Sequence, residues 1–313
     1  MRKVVVLLLV LLIIGFVIFS FVIPASISIK EESRIPVNSK AFTRVFLHEG
    51  PDLSWLANGR KNELPAGNFT YKGNNFSLLE KRATSLLYSI RHENDSLLAE
   101  LVIIPFSSDS VALSFIGTAN TGWNPVSRLQ KGRWAKQVAA DIRNLLQTLK
   151  SFYANEKNVY GFAIQRELVV DTALISISER SIAQPSTTTI YSMIDRLKSF
   201  ARQNNAAPTG LPMLNVTTTA EGSYLTRVAL PLNKRLKNEG DIQSKWMMGN
   251  GNILATEVKG GPASIQQAFT ALEHYTSDHQ WATAAIPYQS LVTDRKSEPD
   301  TNKWVTKVFW PVM

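Results

Sequence analysis

The 313-residue sequence predicts an α+β protein with an N-terminal transmembrane helix followed by two folded domains. Three observations carry this expectation. The first is an uncharged run from Val4 to Ile23, with Arg2 and Lys3 ahead of it. The second is a series of strands ending in one long amphipathic helix over 126–155. The third is a strand–helix–strand–strand pattern that occurs twice after residue 169, a tandem βαββ repeat.

The apolar run spans twenty residues. At about 1.5 Å rise per residue it is roughly 30 Å long, the thickness of a bilayer's hydrocarbon core. A cleavable signal has a shorter apolar stretch of about 7–15 residues and a small-x-small site. The best such site here is Ser26-Ile27-Ser28, so an uncleaved anchor over 1–25 is favoured. Lys and Arg flank both ends, with Lys30, Arg34 and Lys40 interleaved among Glu31 and Glu32. The N-terminal charges sit tight against the helix, and long C-terminal domains translocate largely regardless of charge. The expected topology is single-pass with an extracytoplasmic body, as for a protein of the bacterial envelope. The absence of cysteine fits export but also fits a reduced cytosolic protein.

The remaining length suggests two domains, and 44% hydrophobic residues supply material for two cores. The net charge of +9 is spread along the chain. No helix-turn-helix, zinc-finger spacing or aromatic RNA-binding motif accompanies it, so no nucleic-acid partner is expected. Disorder is expected only in short loops, at 58–68 and 295–302.

In the first half, Ser26 to Lys30 alternates polar and apolar as a half-buried strand does. Pro36 and Asn38 open a helix over 39–48, and further strands read off 86–91, 97–105 and 111–118. Gly122, Asn124 and Pro125 then turn the chain into the long helix. There Val138, Ile142, Leu145, Leu149 and Phe152 recur at spacings of four and three, one apolar stripe for a core. Three segments match a known family: Ser33-Arg34-Ile35-Pro36-Val37-Asn38, Trp123-Asn124-Pro125-Val126-Ser127-Arg128 and Leu146-Gln147-Thr148-Leu149-Lys150. On these, residues 26–165 resemble the polyketide-cyclase-like branch of the START-like (SRPBCC) helix-grip domains. Trp55 is what remains of that family's early Trp-rich segment. The resemblance implies a sheet wrapped on the long helix around an apolar cavity.

In the second half, one unit reads as strand 174–181, helix 187–204 and strands 213–219 and 226–230. The other reads as strand 253–259, helix 263–279 and strands 288–293 and 304–311. Both helices are entered through Pro, which lacks the N–H that a first turn would leave unpaired. Two such units suggest a pseudo-twofold domain with a cleft between halves. Gly260-Gly261-Pro262, Ile286-Pro287-Tyr288 and the closing run from Trp304 to Val312 carry a second likeness. Residues 166–313 resemble the gyrase-inhibitor-like effector-binding domains of bacterial transcription activators. That family's cleft binds small organic molecules, often cationic and aromatic.

The resemblance implies a ligand site at Tyr288, Gln289, Lys307, Phe309 and Glu257. Where the family usually has a carboxylate two residues before an aromatic, this chain has Gln289 and Leu291. Where a further glutamate is common, it has Lys307. A buried carboxylate attracts a cation or serves as a base, and Gln289 does neither, so the expected ligand is neutral or anionic. No catalytic set is evident: no G-x-S-x-G elbow or H-E-x-x-H occurs, and Gly249-Asn250-Gly251 lacks a third glycine. The four histidines have no metal-ligand spacing, and neither metal nor cofactor is expected. The leading expectation is a membrane-tethered protein that senses or carries a small molecule. The alternatives are a hydrolase using Glu257 and an envelope interaction protein with vestigial cavities.

Overall fold

In the computed structural model the described residues are 2–22, 24, 26–49, 67–93, 95–122 and 124–313. Trp55, Trp123 and positions 58–66 of the expected loop lie outside them. The chain forms two compact units, Met1–Asn155 and Glu156–Met313.

In the first unit, α1 (Arg2–Val22) makes the apolar run one continuous helix. From Leu7 to Phe16 every side chain is exposed, Leu and Ile included. Counting only described side chains, no helix is long and apolar enough to cross a membrane. Those of Arg2, Val6 and residues 17–22 stand outside that count.

β1 (Ser26–Ile35) runs five residues beyond the alternation seen in sequence. Its charged Lys30, Glu31 and Glu32 are accommodated by the ladder it forms with β6 (Ser110–Asn120). α2 (Ser39–Thr43) starts at the expected cap, where the Asn38 side chain accepts the N–H groups of Lys40 and Ala41 at 3.0 and 3.1 Å. It continues as a π-helical turn, Arg44–Glu49. Between them in sequence and β6 come β2 (Phe69–Tyr71), β3 (Asn74–Lys81), β4 (Ser85–His92) and β5 (Asp95–Ser107). The sheet is antiparallel and curls into a half-barrel, in the order β1-β6-β5-β4-β3-β2. α3 (Pro125–Tyr153) packs on β1 and β6 and buries Val138, Ile142, Leu145 and Leu149. Phe76, Tyr88 and Phe115 form a buried aromatic cluster, and burial holds the Tyr88 hydroxyl above its ordinary pKa.

The second unit opens with α4 (Lys157–Tyr160) and β7 (Gln165–Leu168). The first repeat is β8 (Ala173–Ser181), α5 (Thr187–Gln203), β9 (Met213–Thr218) and β10 (Tyr224–Leu232). β11 (Gln243–Trp246) leads to the second: β12 (Asn252–Lys259), α6 (Pro262–Asp278), β13 (Tyr288–Leu291) and β14 (Val305–Pro311). All eight strands make one antiparallel sheet in the order β11-β8-β10-β9-β13-β14-β12-β7. The repeats are therefore mirrored in order and meet where β9 pairs with β13.

Both helices lie on one face of this sheet. Ser186 caps α5 by accepting the Thr189 N–H at 3.1 Å, and Ile190, Ile194, Leu197 and Ala201 bury its inner side. α6 starts at Gly261 and Pro262. The preceding Gly260 has φ +139°, and a Cβ there would stand 2.6 Å from the Ser264 Oγ, so only glycine fits this turn.

The segment 295–302, expected to be disordered, is instead a structured loop. Ser297 and Glu298 fold back on the Asp294 carbonyl, a 3-10 turn forms over Thr301–Lys303, and Arg295 is buried. Its charged composition reads as solvated surface, but tertiary hydrogen bonds hold it down.

Candidate functional site

Side chains on a strand alternate between faces, and this decides which residues can meet at the repeat seam. On β13, Gln289 and Leu291 point toward the helices, while Tyr288 and Ser290 point to the opposite face. Register with β14 places Val308 and Thr306 beside the first pair and Phe309 and Lys307 beside the second.

The helix face holds a cleft of about 570 Å³ between the two repeats. Ile190 of α5, Phe269 and Glu273 of α6, Val216 of β9 and Trp310 of β14 line it, together with Gln289, Arg295 and Trp304. This size is ordinary for a small-molecule site.

Arg295 is the unusual member. The residue is only 9% exposed. Its Nη2 donates to Gln289 Oε1 at 2.8 Å and to Thr306 Oγ1 at 3.0 Å. Its Cζ lies 4.4 Å from the Trp304 ring centre, a cation–π contact. Its backbone N–H donates to the Tyr191 hydroxyl at 2.6 Å. Burial lowers the Arg295 pKa, and no carboxylate offsets that effect. A guanidinium has only donors, so the neighbouring Gln289 amide must present its oxygen to it. This leaves the Gln289 amide nitrogen as a donor beside the cation.

The structure divides the five residues expected to form the site. Gln289 alone faces the cleft. Tyr288 and Phe309 stack on the opposite face with ring centres 5.0 Å apart. Lys307 lies over Phe309 and pairs with Glu167, its Nζ 2.8 Å from Oε1. Glu257 faces Lys307 across the ladder and is exposed. The physical reason is strand periodicity, because Tyr288 and Gln289 are neighbours and cannot share a face. Lys307 is thus neutralised by Glu167 away from the cleft, and the cleft's positive charge comes from Arg295. Sequence reasoning missed Arg295 because it sits in a polar loop, among Asp294, Lys296 and Glu298, with no periodic pattern around it. One signal was available: a cleft lacking its usual acid, followed six residues later by an arginine.

The chain is similar in structure to the C-terminal domain of EcmrR, with 49% of this chain and 98% of that one covered, 17% identity and a TM-score of 0.37. It is similar to a hydrolase from Listeria innocua over 53% of this chain and 98% of the other, at 9% identity and a TM-score of 0.38. A weaker likeness, to the DynU16 protein of the dynemicin biosynthetic locus, covers 90% of this chain and 86% of that one at 11% identity and a TM-score of 0.24. No family model matches the chain, and no curated protein matches it by sequence.

Proposed function

We propose that the second unit is a binding module for a small organic anion with a flat apolar body, carried on a membrane-tethered, extracytoplasmic chain. The observation that carries this reading is the Arg295 guanidinium, buried in an open cleft where its side-chain partners among the described residues are the neutral Gln289 and Thr306, and where the one lining carboxylate, Glu273, makes no ion pair with it. A desolvated charge left unpaired is costly, on the order of several kcal/mol. Only two of the roughly five N–H donors of a guanidinium are used by protein acceptors among the described residues. A ligand carboxylate would take the others in short, charge-assisted bonds. Trp304 already stacks on the guanidinium, and Phe269 and Trp310 offer apolar walls for the ligand body. An open cleft favours binding over a vestigial site. The hydrolase alternative draws no support from Glu257, which stands on the other face. The tether is supported by α1, a helix whose Leu and Ile side chains are exposed on every side behind the basic Arg2 and Lys3.

A matched series tests the reading: 1-naphthoate, 1-naphthamide and 1-naphthylmethylammonium, each added to the purified full-length chain in a thermal-shift assay. Ligand at 100 times its dissociation constant adds about 2.7 kcal/mol, which such an assay resolves. The acid should stabilise most, the amide less and the ammonium not at all. Equal or greater stabilisation by the ammonium would overturn the reading.

A further inference from the structure

The sheet face turned away from α5 and α6 carries its own concavity, about 360 Å³ in volume. Met213, Ala229, Trp246, Met247, Ile286 and Tyr288 give it an apolar body. Its rim is open, with Trp246 56% and Ile286 51% exposed. Soluble surfaces seldom leave such side chains clustered without a use for them.

One cation is built into it. Arg227 on β10 is opposite Asn215 on β9, and its Nη1 donates to Asn215 Oδ1 at 2.8 Å and Thr217 Oγ1 at 3.2 Å. Asn215 is itself fixed, its Nδ2 donating to the Pro287 carbonyl at 2.9 Å. The guanidinium is thus oriented by two neutral acceptors, Asn215 and Thr217. Lys245 also lines the groove, and Arg235 lies over the Trp246 ring at 5.3 Å. No Asp or Glu lines it among the described residues. Two acids act on the Tyr288 hydroxyl from outside the lining, and both have partners: Glu167 accepts from Lys307, and Asp171 accepts from the Thr209 hydroxyl at 3.0 Å.

We infer that this groove is a second binding site, taking the acyl chain of an anionic amphiphile and holding its headgroup on Arg227. Apolar walls, an exposed aromatic rim and a guanidinium with no acid among the groove's lining residues match that chemistry in both parts. A neutral lipid would leave Arg227 unused, and a cationic one would be repelled by Arg227, Lys245 and Arg235. The groove opens on the sheet face turned away from α5 and α6, and it shares only Leu214 and Asn215 with the lining of the helix-face cleft.

A brominated fatty acid quenches tryptophan only in close contact, which makes it a suitable probe. The full-length chain in phosphatidylcholine nanodiscs is titrated with 11-bromoundecanoate. Saturable quenching is expected, most of it lost in Trp246→Phe. Arg227→Gln should raise the half-saturation point by about tenfold, the loss of one charge-assisted contact. Ile286→Glu should weaken it as well, without touching the guanidinium, so a folding defect in one variant does not decide the matter. Arg295→Gln should leave the quenching unchanged. A second arm uses nanodiscs containing brominated phosphatidylglycerol and no free acid. Quenching there would assign the headgroup to the bilayer, and quenching only by the free acid would assign it to solution. Absence of saturable quenching in both arms, or equal quenching by a brominated alkyltrimethylammonium, would overturn the proposal.

Discussion

Arg295 illustrates how one side chain's surroundings define a site. Its backbone is held by Tyr191, more than a hundred positions earlier, and its head by Gln289 and Thr306. Tyr191→Phe removes the acceptor of the buried Arg295 N–H, and such a loss costs about 1–3 kcal/mol. Chemical denaturation should show that loss together with weaker naphthoate binding; unchanged binding would mean the loop keeps its geometry without Tyr191. The same loop has an acid-sensitive element. The backbone N–H of Lys296, then the Tyr191 hydroxyl, hold the Asp294 carboxyl below the ordinary aspartate range. A depressed pKa contributes stability above the unfolded value, and that contribution is lost as pH falls through the folded value. Asp294 is almost fully exposed, so the effect is small. Asp294→Asn should lower the Tm slightly at pH 7 and flatten its decline below pH 4. A parallel decline in wild type and variant would count against it.

At the scale of elements, legibility followed periodicity. The stripe on α3 was readable because helix packing leaves a 3.6-residue signature, and Leu145 and Leu149 are buried as that signature requires. Leu145→Ala should cost about 2–5 kcal/mol and the exposed Lys150→Ala less than about 0.5 kcal/mol in urea denaturation. Comparable small losses from both would mean the stripe is wrongly phased. Strands without alternation were not readable. β3 carries a bulge between Leu78 and Glu80 that breaks its register. β11 is a four-residue edge strand with Lys245 and Trp246 both exposed. The candidate site was half legible. Gln289 and the repeat seam followed from the tandem pattern, but Tyr288, Phe309, Lys307 and Glu257 were grouped with it although alternation sends them to the other face. Arg295 was invisible because the burial of a loop is set by residues distant in sequence.

For the molecule as a whole, the second unit carries a concavity on each face of one sheet, and α1 is the proposed anchor. If α1 is an anchor, the full-length protein should stay with membranes after a high-salt wash, and protease should reach the body only from outside the cytoplasm. A soluble chain beginning near Ile29 would replace the anchor with a signal peptide. The central claim is that the helix-face cleft is an anion site set by Arg295. Isothermal titration of 1-naphthoate into wild type, Arg295→Gln, Gln289→Glu and Lys307→Ala tests it most directly. Arg295→Gln should weaken binding about a hundredfold, since truncating one partner of a buried charge pair costs 2–5 kcal/mol or more. Gln289→Glu should abolish binding by pairing with Arg295 internally, while Lys307→Ala should leave it unchanged. Wild-type affinity retained in both Arg295→Gln and Gln289→Glu would contradict the account.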